Sequence, residues 1–350
     1  METNKPLIYD LSNSELEARM KDMGEPSFRA KQIWVALYQT FRISPEEITT
    51  LPKSLREKLA DRFAFKALTA LREVQSEDGR TIKTLFKLQD GNFIEAVLMY
   101  YEERRTLCIS SQSGCGMGCS FCATGQMGLR RNLTSGEIIA QVMYYARYLA
   151  EMDDKVTNVV LMGMGEPFQN YDHVMEALDR LNNPEALGLG ARRFTISTIG
   201  IVPKIIEFAD EETQYNLAIS LHSVDDSLRS QLIPINRKYP VDELIVACRY
   251  YVRKTSRRVT FEYALIQGVN DSIADAERLA HKIRGMICHV NLIPLNPTQG
   301  YREQPTQADQ ADAFCAILEE RNIPCTIRMR RGIEIQAGCG QLATQMESKS

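Results

Sequence analysis

Residues 113–125, SGCGMGCSFCATG, place three cysteines within a stretch of eight positions. Cys115, Cys119 and Cys122 follow the spacing CxxxCxxC, with glycines between them. Because glycine adopts dihedral angles that other residues avoid, the stretch can curl until its thiols surround one centre. Thiolates are soft ligands that suit a metal centre, and an iron–sulfur cluster is the first candidate. A cluster with three protein ligands would keep one iron open for a substrate or cofactor.

Three alternatives compete with an iron–sulfur cluster for this motif. A structural zinc site normally has four protein ligands, so Cys108 would have to join the other three. A disulfide is disfavoured because the chain has nine cysteines, an odd number, and no secretory-signal pattern. Chance clustering in a buried loop is disfavoured because a glycine-rich loop is poor core material.

The composition is that of an ordinary globular protein. The chain has 350 residues, 44% of them hydrophobic and 25% charged, enough for one large domain and a small one. No apolar run reaches the length of a membrane span, and many unpaired cysteines suit a reducing compartment. We therefore expect a cytoplasmic protein with no membrane partner.

The cysteine motif, with Phe121 directly before Cys122, resembles the signature of the radical S-adenosylmethionine (SAM) superfamily. In order, the stretches CISSQSGCGMGCSFCATG, MGMGEP, STIGIVP, ISLHS and AGCGQL resemble the RlmN/Cfr family of RNA adenine methyltransferases, from about residue 10 to 345. The resemblance implies one 4Fe-4S cluster held by the three cysteines. It also implies SAM as the second cofactor, with two molecules used per turnover and one bound to the open iron.

Residues 1–80 are predicted to form a small helical domain. Ser14 and Glu17 have capping-box spacing, and Gly24 stands where the first helix should end. Pro52 suits the first turn of a third helix. The domain is either a stabilising extension or an accessory domain that docks RNA, and the family resemblance implies the second.

Residues 81–104 are predicted to form a β-hairpin extension. The runs TIKTLFKL and FIEAVLMYY flank the turn sequence Gln-Asp-Gly-Asn at 89–92. Glu95 lies inside the second run, where a carboxylate is either exposed at an edge or buried for a function. The resemblance implies that Glu95 is the proton acceptor of the reaction.

From residue 105 onward, short apolar segments alternate with amphipathic ones. Strands are predicted at 106–110, 157–162, 193–198, 216–221, 259–265, 289–293 and 325–329, and helices between them include 135–149, 171–181, 241–253 and 308–320. This alternation predicts parallel β/α units, in either an open sheet or a barrel. With the resemblance, it gives an α/β fold whose core, residues 105–345, is a partial (β/α)6-type radical SAM barrel. Residues 346–350 are assigned to a tail.

Polar motifs follow the predicted strands at their C-terminal ends. In an α/β barrel, the loops at these ends form the mouth of the active site, so we expect the motifs to share one face. The resemblance implies that several of these residues contact SAM, namely Gly165, Glu166, Ser197, Ser220, Leu221, His222 and Asn296. Considered alone, a histidine at position 222 would more often be a structural residue with its hydrogen bonds satisfied.

Cys339 differs from the other cysteines because it lies in the flexible sequence AGCG beyond the last predicted strand. The thiolate is the nucleophilic form of cysteine, so this position indicates a reactive or redox cysteine. The resemblance implies that Cys339 accepts a methyl group from one SAM, and that a radical formed from a second SAM activates this methyl. The methyl carbon then adds to the adenine ring, Glu95 removes the ring proton, and Cys108 resolves the adduct through a transient disulfide.

The net charge of −3 does not by itself indicate a nucleic-acid partner. Basic residues do cluster, however, at 104–105, 130–131, 192–193, 253–254, 257–258 and 328–331. Each cluster alone is more typical of a solvated surface, but several at one mouth would follow a phosphate backbone.

The sequence Gly165-Glu166-Pro167 resembles the branch of the family that methylates adenine C2, named RlmN. Its substrates are an adenine of 23S rRNA and one beside the tRNA anticodon, whereas the Cfr branch methylates C8 of the same rRNA adenine. The resemblance implies 23S rRNA and tRNA as partners, with an electron donor such as flavodoxin or ferredoxin and a thiol reductant. The alternative of a different class is a non-catalytic RNA-binding protein stapled by zinc.

Overall fold

The computed structural model describes residues 5–328 and 331–343. Met329 and Arg330, which belong to the predicted last strand and the last basic cluster, lie outside the described residues. The predicted tail at 346–350 also lies outside them. Within the described ranges, no helix is long and apolar enough to cross a membrane.

The strands form one ten-stranded mixed sheet and one two-stranded sheet. Numbered along the chain, they are β1 Leu68–Gln75, β2 Thr81–Leu88, β3 Phe93–Tyr100, β4 Arg105–Cys108, β5 Gln112–Cys115, β6 Gly128–Asn132, β7 Asn158–Leu161, β8 Phe194–Thr198, β9 Asn216–Ser220, β10 Val259–Leu265, β11 Cys288–Pro294 and β12 Cys325–Ile327. The order in the large sheet is β1-β2-β3-β4-β7-β8-β9-β10-β11-β12. The small sheet pairs β5 with β6.

The α-helices are α1 Asn13–Asp22, α2 Phe28–Tyr38, α3 Lys53–Arg62, α4 Ala123–Gln126, α5 Ser135–Ala150, α6 Tyr171–Asn182, α7 Val202–Asp210, α8 Asp226–Leu232, α9 Val241–Thr255, α10 Ile273–Ile283 and α11 Ala308–Glu320. From β4 to β12, neighbouring strands of the large sheet are parallel. Each parallel connection contains at least one helix from α5 onward. The predicted β/α alternation is therefore present, and it brings the C-terminal ends of these strands to one edge of the sheet.

The predicted hairpin is present as β2 and β3, which pair antiparallel around a turn where Gly91 has a φ of 86°. β3 also pairs antiparallel with β4, so the hairpin continues the parallel sheet. One strand, β1, was assigned from the sequence to the helical domain, but it pairs antiparallel with β2. Most of its residues are exposed, so this edge strand has no apolar alternation that could have revealed it.

The helical domain contains α1, α2 and α3, as predicted, but the capping box lies two residues earlier than expected. Ser12 and Glu15 form it, and α1 therefore begins at Asn13. The domain contacts the core where Asp10 Oδ1 accepts a hydrogen bond of 2.8 Å from the backbone N–H of Gly136. A Cβ atom on Gly136 would lie 2.5 Å from that oxygen, so only glycine permits this contact.

Candidate active site

The cysteine motif forms a hairpin between β5 and β6, with the short helix α4 inside it. Gly114 has a φ of 73°, and a Cβ atom there would lie 2.0 Å from the carbonyl oxygen of Gly128. Gly118 has a φ of 64°, which also lies in the left-handed region. Glycine at these two positions is therefore required for the tight path of the loop.

Cys115, Cys119 and Cys122 line one cavity at the C-terminal edge of the parallel strands. Burial raises the pKa of all three thiols, to about 12 for Cys115. Repulsion from a neighbouring thiolate adds to the effect, and for Cys122 that neighbour is Cys339. Without a positive charge between them, the thiols stay protonated at neutral pH. A metal centre would displace these protons, because the metal binds the thiolate form.

The donor set of this site suits an iron–sulfur cluster. The three cysteines line a shared cavity, and soft thiolate donors match such a cluster. Cys108, which a zinc site would need, lies in β4 and is not among the residues that line this cavity.

The cavity, of about 1020 Å³ including its open mouth, collects residues from successive strands. Besides the three cysteines, the predicted residues that line it are Gly165, Glu166, Ser197, Ser220, His222, Asn296 and Cys339. Leu221 does not line the cavity, because its side chain is buried in the hydrophobic core. Cys108 and Glu95 lie outside the lining as well.

Glu166 is buried at the end of β7, and its two oxygens accept backbone hydrogen bonds of 3.0 Å each. The donors are the N–H groups of Phe168 and Ile199. Burial raises the pKa of Glu166 to about 7, although the backbone donors and the Thr198 hydroxyl oppose this shift. A carboxyl group with this pKa is ready to pair with an amine that enters the cavity.

Ser197 and Ser220 stand side by side on β8 and β9, with 3.5 Å between their hydroxyl oxygens. His222 follows on the same side, in a left-handed backbone conformation with a φ of 57°. Its Nδ1 accepts a hydrogen bond of 2.8 Å from the N–H of Ala264, and burial lowers its pKa to about 3. The ring is therefore neutral with its proton on Nε2, and it lines the cavity against Phe121. His222 is thus a structural histidine through Nδ1 and a residue of the cavity wall through its ring.

Cys339 lies in the C-terminal loop, residues 331–343, and its thiol is exposed at the cavity. Asn296 donates a hydrogen bond of 3.2 Å to the carbonyl oxygen of Cys339. Ala123 donates one of 2.7 Å to the carbonyl oxygen of Gly340, and Thr124 one of 2.6 Å to that of Leu342. The loop is thus fastened to the cysteine hairpin and to the end of β11.

Cys108 and Cys339 lie close enough to influence each other electrostatically. Burial raises the pKa of Cys108 to about 12, the nearby Cys339 adds to this, and Arg328 opposes it. Both cysteines are free thiols in this structure. Their pairing, which the family resemblance implies, stays a prediction.

Glu95 is buried, so the exposed alternative for this strand position is wrong. Its Oε2 accepts a hydrogen bond of 3.0 Å from the N–H of Ala343, and its Oε1 lies 3.2 Å from Nζ of Lys83. These contacts place Glu95 directly behind the C-terminal loop, in a second cavity that Ala343 also lines.

Two charged residues at this site were missed from the sequence: Lys83 and Glu262. Glu262 lines the main cavity, where Oε1 accepts a hydrogen bond of 2.9 Å from Asn291. Its Oε2 is buried without a hydrogen-bond donor among the described residues, and Arg328 Nη1 lies 4.0 Å away. A single charged residue inside an apolar strand, as in VTFEYAL, is the signal that would have found Glu262. Lys83 has no such signal, because it shares one face of its strand with Lys87.

Two family models match the chain. The model of the radical SAM superfamily matches residues 109–280. The model described as the ribosomal RNA large subunit methyltransferase N-terminal domain matches residues 7–64.

Similar proteins match over nearly the whole length. The probable dual-specificity RNA methyltransferase RlmN of Chloroflexus aurantiacus is 47% identical, covering 96% of this chain and 92% of that protein. Dual-specificity RNA methyltransferase RlmN 1 of Myxococcus xanthus is 46% identical over 98% of this chain and 96% of its own. The crystal structure of a radical SAM methyltransferase from Sphaerobacter thermophilus, 52% identical, superposes with a TM-score of 0.95 over 97% of this chain and 100% of that chain. This similarity confirms the predicted α/β radical SAM fold.

The iron–sulfur and zinc hypotheses predict different metal contents for cysteine variants of the protein. C119A should keep less than about a tenth of the iron after anaerobic reconstitution, because one ligand of the cluster is lost. C108A should bind iron and sulfide like the wild type, since Cys108 lies outside the cavity lining. Iron and sulfide assays, with the visible absorbance of the protein, measure the outcome. Equal loss of metal from both variants would contradict the three-cysteine site.

The raised pKa of Glu166 predicts a pH-dependent cost to stability. Between the ordinary glutamate pKa of 4.5 and about 7, the folded state binds more protons than the unfolded state. Stability therefore falls as pH rises through this window, by roughly 2 kcal/mol between pH 5 and 8. E166Q should lack this fall. Urea unfolding of ligand-free wild type and E166Q at both pH values measures it, and parallel pH dependences would contradict the prediction.

Proposed function

The chain belongs to the RlmN family of radical SAM RNA methyltransferases, and on that premise we propose that it methylates C2 of adenine in 23S rRNA and in tRNA. The enzyme uses a 4Fe-4S cluster and SAM, as its superfamily does. The observation that carries the proposal is the position of Cys339, which lines the same cavity as Cys115, Cys119 and Cys122. A methyl carrier at this position would face both the cofactor site and an incoming base.

The residues of the cavity divide into those that would hold the cofactors and those that would act on RNA. Cys115, Cys119 and Cys122 would bind the cluster, which supplies the electron that cleaves SAM. Gly165, Glu166, Ser197, Ser220, His222 and Asn296 would hold SAM from the strand ends, and Leu221 would contribute only through its backbone. A carboxylate at Glu166 accepts hydrogen bonds from an amine, and the serine hydroxyls suit ribose and carboxylate groups.

In the proposed reaction, the thiolate of Cys339 first takes a methyl group by displacement from SAM, which would leave as S-adenosylhomocysteine. The bound cofactors would supply the radical that removes one hydrogen atom from this methyl group, and they would take up one electron once its carbon has bonded to the adenine ring. Glu95 takes the ring proton. Cys108 then attacks the sulfur of Cys339, so a disulfide replaces the sulfur–carbon bond. The carbon keeps the bonding electrons and takes a proton, which leaves a methyl group on the base. A thiol reductant then returns both cysteines to the free state.

The proposal includes a flavodoxin or ferredoxin as electron donor and places the enzyme in the cytoplasm with its RNA substrates. We also propose that residues 1–80 form an RNA-docking domain, residues 81–104 a hairpin extension and residues 105–345 the catalytic core. The name of the family model that matches residues 7–64 supports the first assignment. The hydrogen bond between Asp10 and Gly136 also supports this assignment, because it joins the N-terminal domain to the start of α5 in the core.

Two of the basic clusters meet beside the C-terminal loop, which supports RNA binding there. The guanidinium groups of Arg104 and Arg331 lie 5.0 and 4.5 Å from the ring centre of Tyr101. Arg331 also donates a hydrogen bond of 2.8 Å to the carbonyl oxygen of Tyr100. Arginines around an aromatic ring can contact phosphates and stack with bases.

The remaining basic clusters include residues with acidic partners of their own. Arg131 forms ion pairs with Asp90 and Glu137. Lys254 pairs with Asp210 and Glu212. Arg131 and Lys254 are therefore neutralised locally, and the arginines around Tyr101 are better candidates than these two for phosphate contact.

The product of the reaction tests the proposed function directly. Expression of the chain in cells that lack their own enzyme should produce 2-methyladenosine in 23S rRNA and tRNA, measured by mass spectrometry of nucleosides. C339A should abolish the product, and C108A should accumulate a covalent protein–RNA adduct. The appearance of 8-methyladenosine would favour the Cfr alternative. Turnover by C339A would contradict the methyl-cysteine route.

The cluster at Tyr101 predicts a salt-dependent effect on RNA affinity. R104A should weaken binding of an rRNA fragment without sequence preference, and should lower the slope of log affinity against log salt by about one. R253A is the control, because Arg253 is an exposed arginine of another basic cluster, on α9. Affinities of the reconstituted enzyme at several salt concentrations measure both effects, and equal slopes for R104A and R253A would contradict the assignment.

A further inference from the structure

A buried ion pair connects the two strands of the hairpin extension. Nζ of Lys83 lies 3.2 Å from Oε1 of Glu95, with exposed side-chain fractions of 11% and 6%. Leu85 is the partner of Glu95 in the antiparallel register, and Lys83 is two residues from Leu85 on the same face of the sheet. The pair is thus a diagonal cross-strand contact fixed by the register of the hairpin.

Both members of this pair also hold the C-terminal loop. Nζ of Lys83 donates a hydrogen bond of 3.2 Å to the carbonyl oxygen of Gln336, on the N-terminal side of Cys339. Oε2 of Glu95 accepts one of 3.0 Å from the N–H of Ala343, on the C-terminal side. The two residues of this ion pair therefore form hydrogen bonds with the C-terminal loop on both sides of Cys339.

We propose that Lys83 is a positioning residue that acts through Glu95: it keeps Glu95 in the carboxylate form and ties that carboxylate to the loop that carries Cys339. The inference rests on the proposed roles of Glu95 and Cys339. In this role, Lys83 contacts neither substrate nor cofactor. It is needed so that Glu95 is ionised and in position when the adenine base binds.

The electrostatic reason is that burial favours the protonated form of Glu95. Burial raises the pKa of Glu95, and Lys83 is the main group that opposes this. Arg72 on β1 also lowers the pKa of Glu95, but more weakly than Lys83 does. Glu334 of the C-terminal loop lines the same second cavity as Glu95 and is negatively charged. A proton acceptor must be ionised before it can act, so removal of Lys83 would shift Glu95 toward the protonated form, which cannot accept a proton.

The test compares K83M, E95Q and the double variant K83M/E95Q, with K87M as the control. Lys87 lies four residues along the same strand and is exposed. For each reconstituted holoenzyme, the rate of single-turnover methylation of a 23S rRNA fragment is measured from pH 6 to 9. At pH 7, the methylation rate of K83M should be lower than that of wild type by about tenfold or more. The rise in rate on the acidic side of its pH–rate profile should move to higher pH by about one unit. K83R, which keeps the charge, should restore most of the rate, and K87M should resemble wild type.

The double variant separates action through Glu95 from an independent role. If Lys83 acts through Glu95, K83M/E95Q is no slower than E95Q alone. Additive losses would overturn the inference, as would a wild-type rate and pH profile for K83M when E95Q is impaired. A wild-type rate for E95Q would instead refute the proposed role of Glu95, which is a distinct failure.

Hydrogen exchange gives a readout that does not depend on turnover. In K83M, backbone amides of residues 332–343 should exchange several-fold faster than in K87M, because the bond to Gln336 is lost. Amides of β2 and β3 should exchange at similar rates in the two variants, which shows that the hairpin has folded. Unchanged exchange in the C-terminal loop would overturn the positional half of the inference. Should K83M fail to fold, the comparison of K83R with K83Q provides the same test.

Discussion

This active site depends on one constraint: its ionisable groups are buried away from water, at the C-terminal edge of the parallel strands. Burial keeps the thiols of Cys115, Cys119 and Cys122 protonated, and it raises the pKa of Glu166 to about 7. A cation that enters the cavity favours the charged form of each of these groups. The same desolvation that costs stability in the ligand-free protein therefore prepares the cavity for a metal cluster and an amine.

The C-terminal loop joins three parts of the molecule that the sequence keeps far apart. Its carbonyl groups accept hydrogen bonds from Thr124 of the cysteine hairpin, from Asn296 beyond β11 and from Lys83 of the hairpin extension. A shift of any one of these elements would move Cys339 relative to the cavity. The position of the proposed methyl carrier is thus determined by the cofactor site and by the proton acceptor together, because the same loop contacts both.

The sequence was sufficient for the parallel β/α core and for most residues of the cavity, because polar motifs at strand ends must meet at one edge of a parallel sheet. It could not decide whether Glu95 is buried, since that depends on β2 and on residues 331–343, which are distant along the chain. Lys83 was missed because, together with Lys87, it imitates an exposed polar face. β1 was missed for a related reason: an edge strand with mostly exposed side chains has no apolar period to detect.

The three buried carboxylates of the site differ in their partners, and this difference separates their roles. Glu95 has the ammonium group of Lys83 at 3.2 Å, and Glu262 has Asn291 and the more distant guanidinium of Arg328. The partners of Glu166 are the N–H groups of Phe168 and Ile199 and the Thr198 hydroxyl, which carry no net charge. A carboxylate with a built-in cation is shifted toward its ionised form even before a ligand binds, as a proton acceptor requires. A carboxylate held only by neutral donors gains most from a cation that arrives with the ligand, so Glu166 is the residue best suited to recognise an amine.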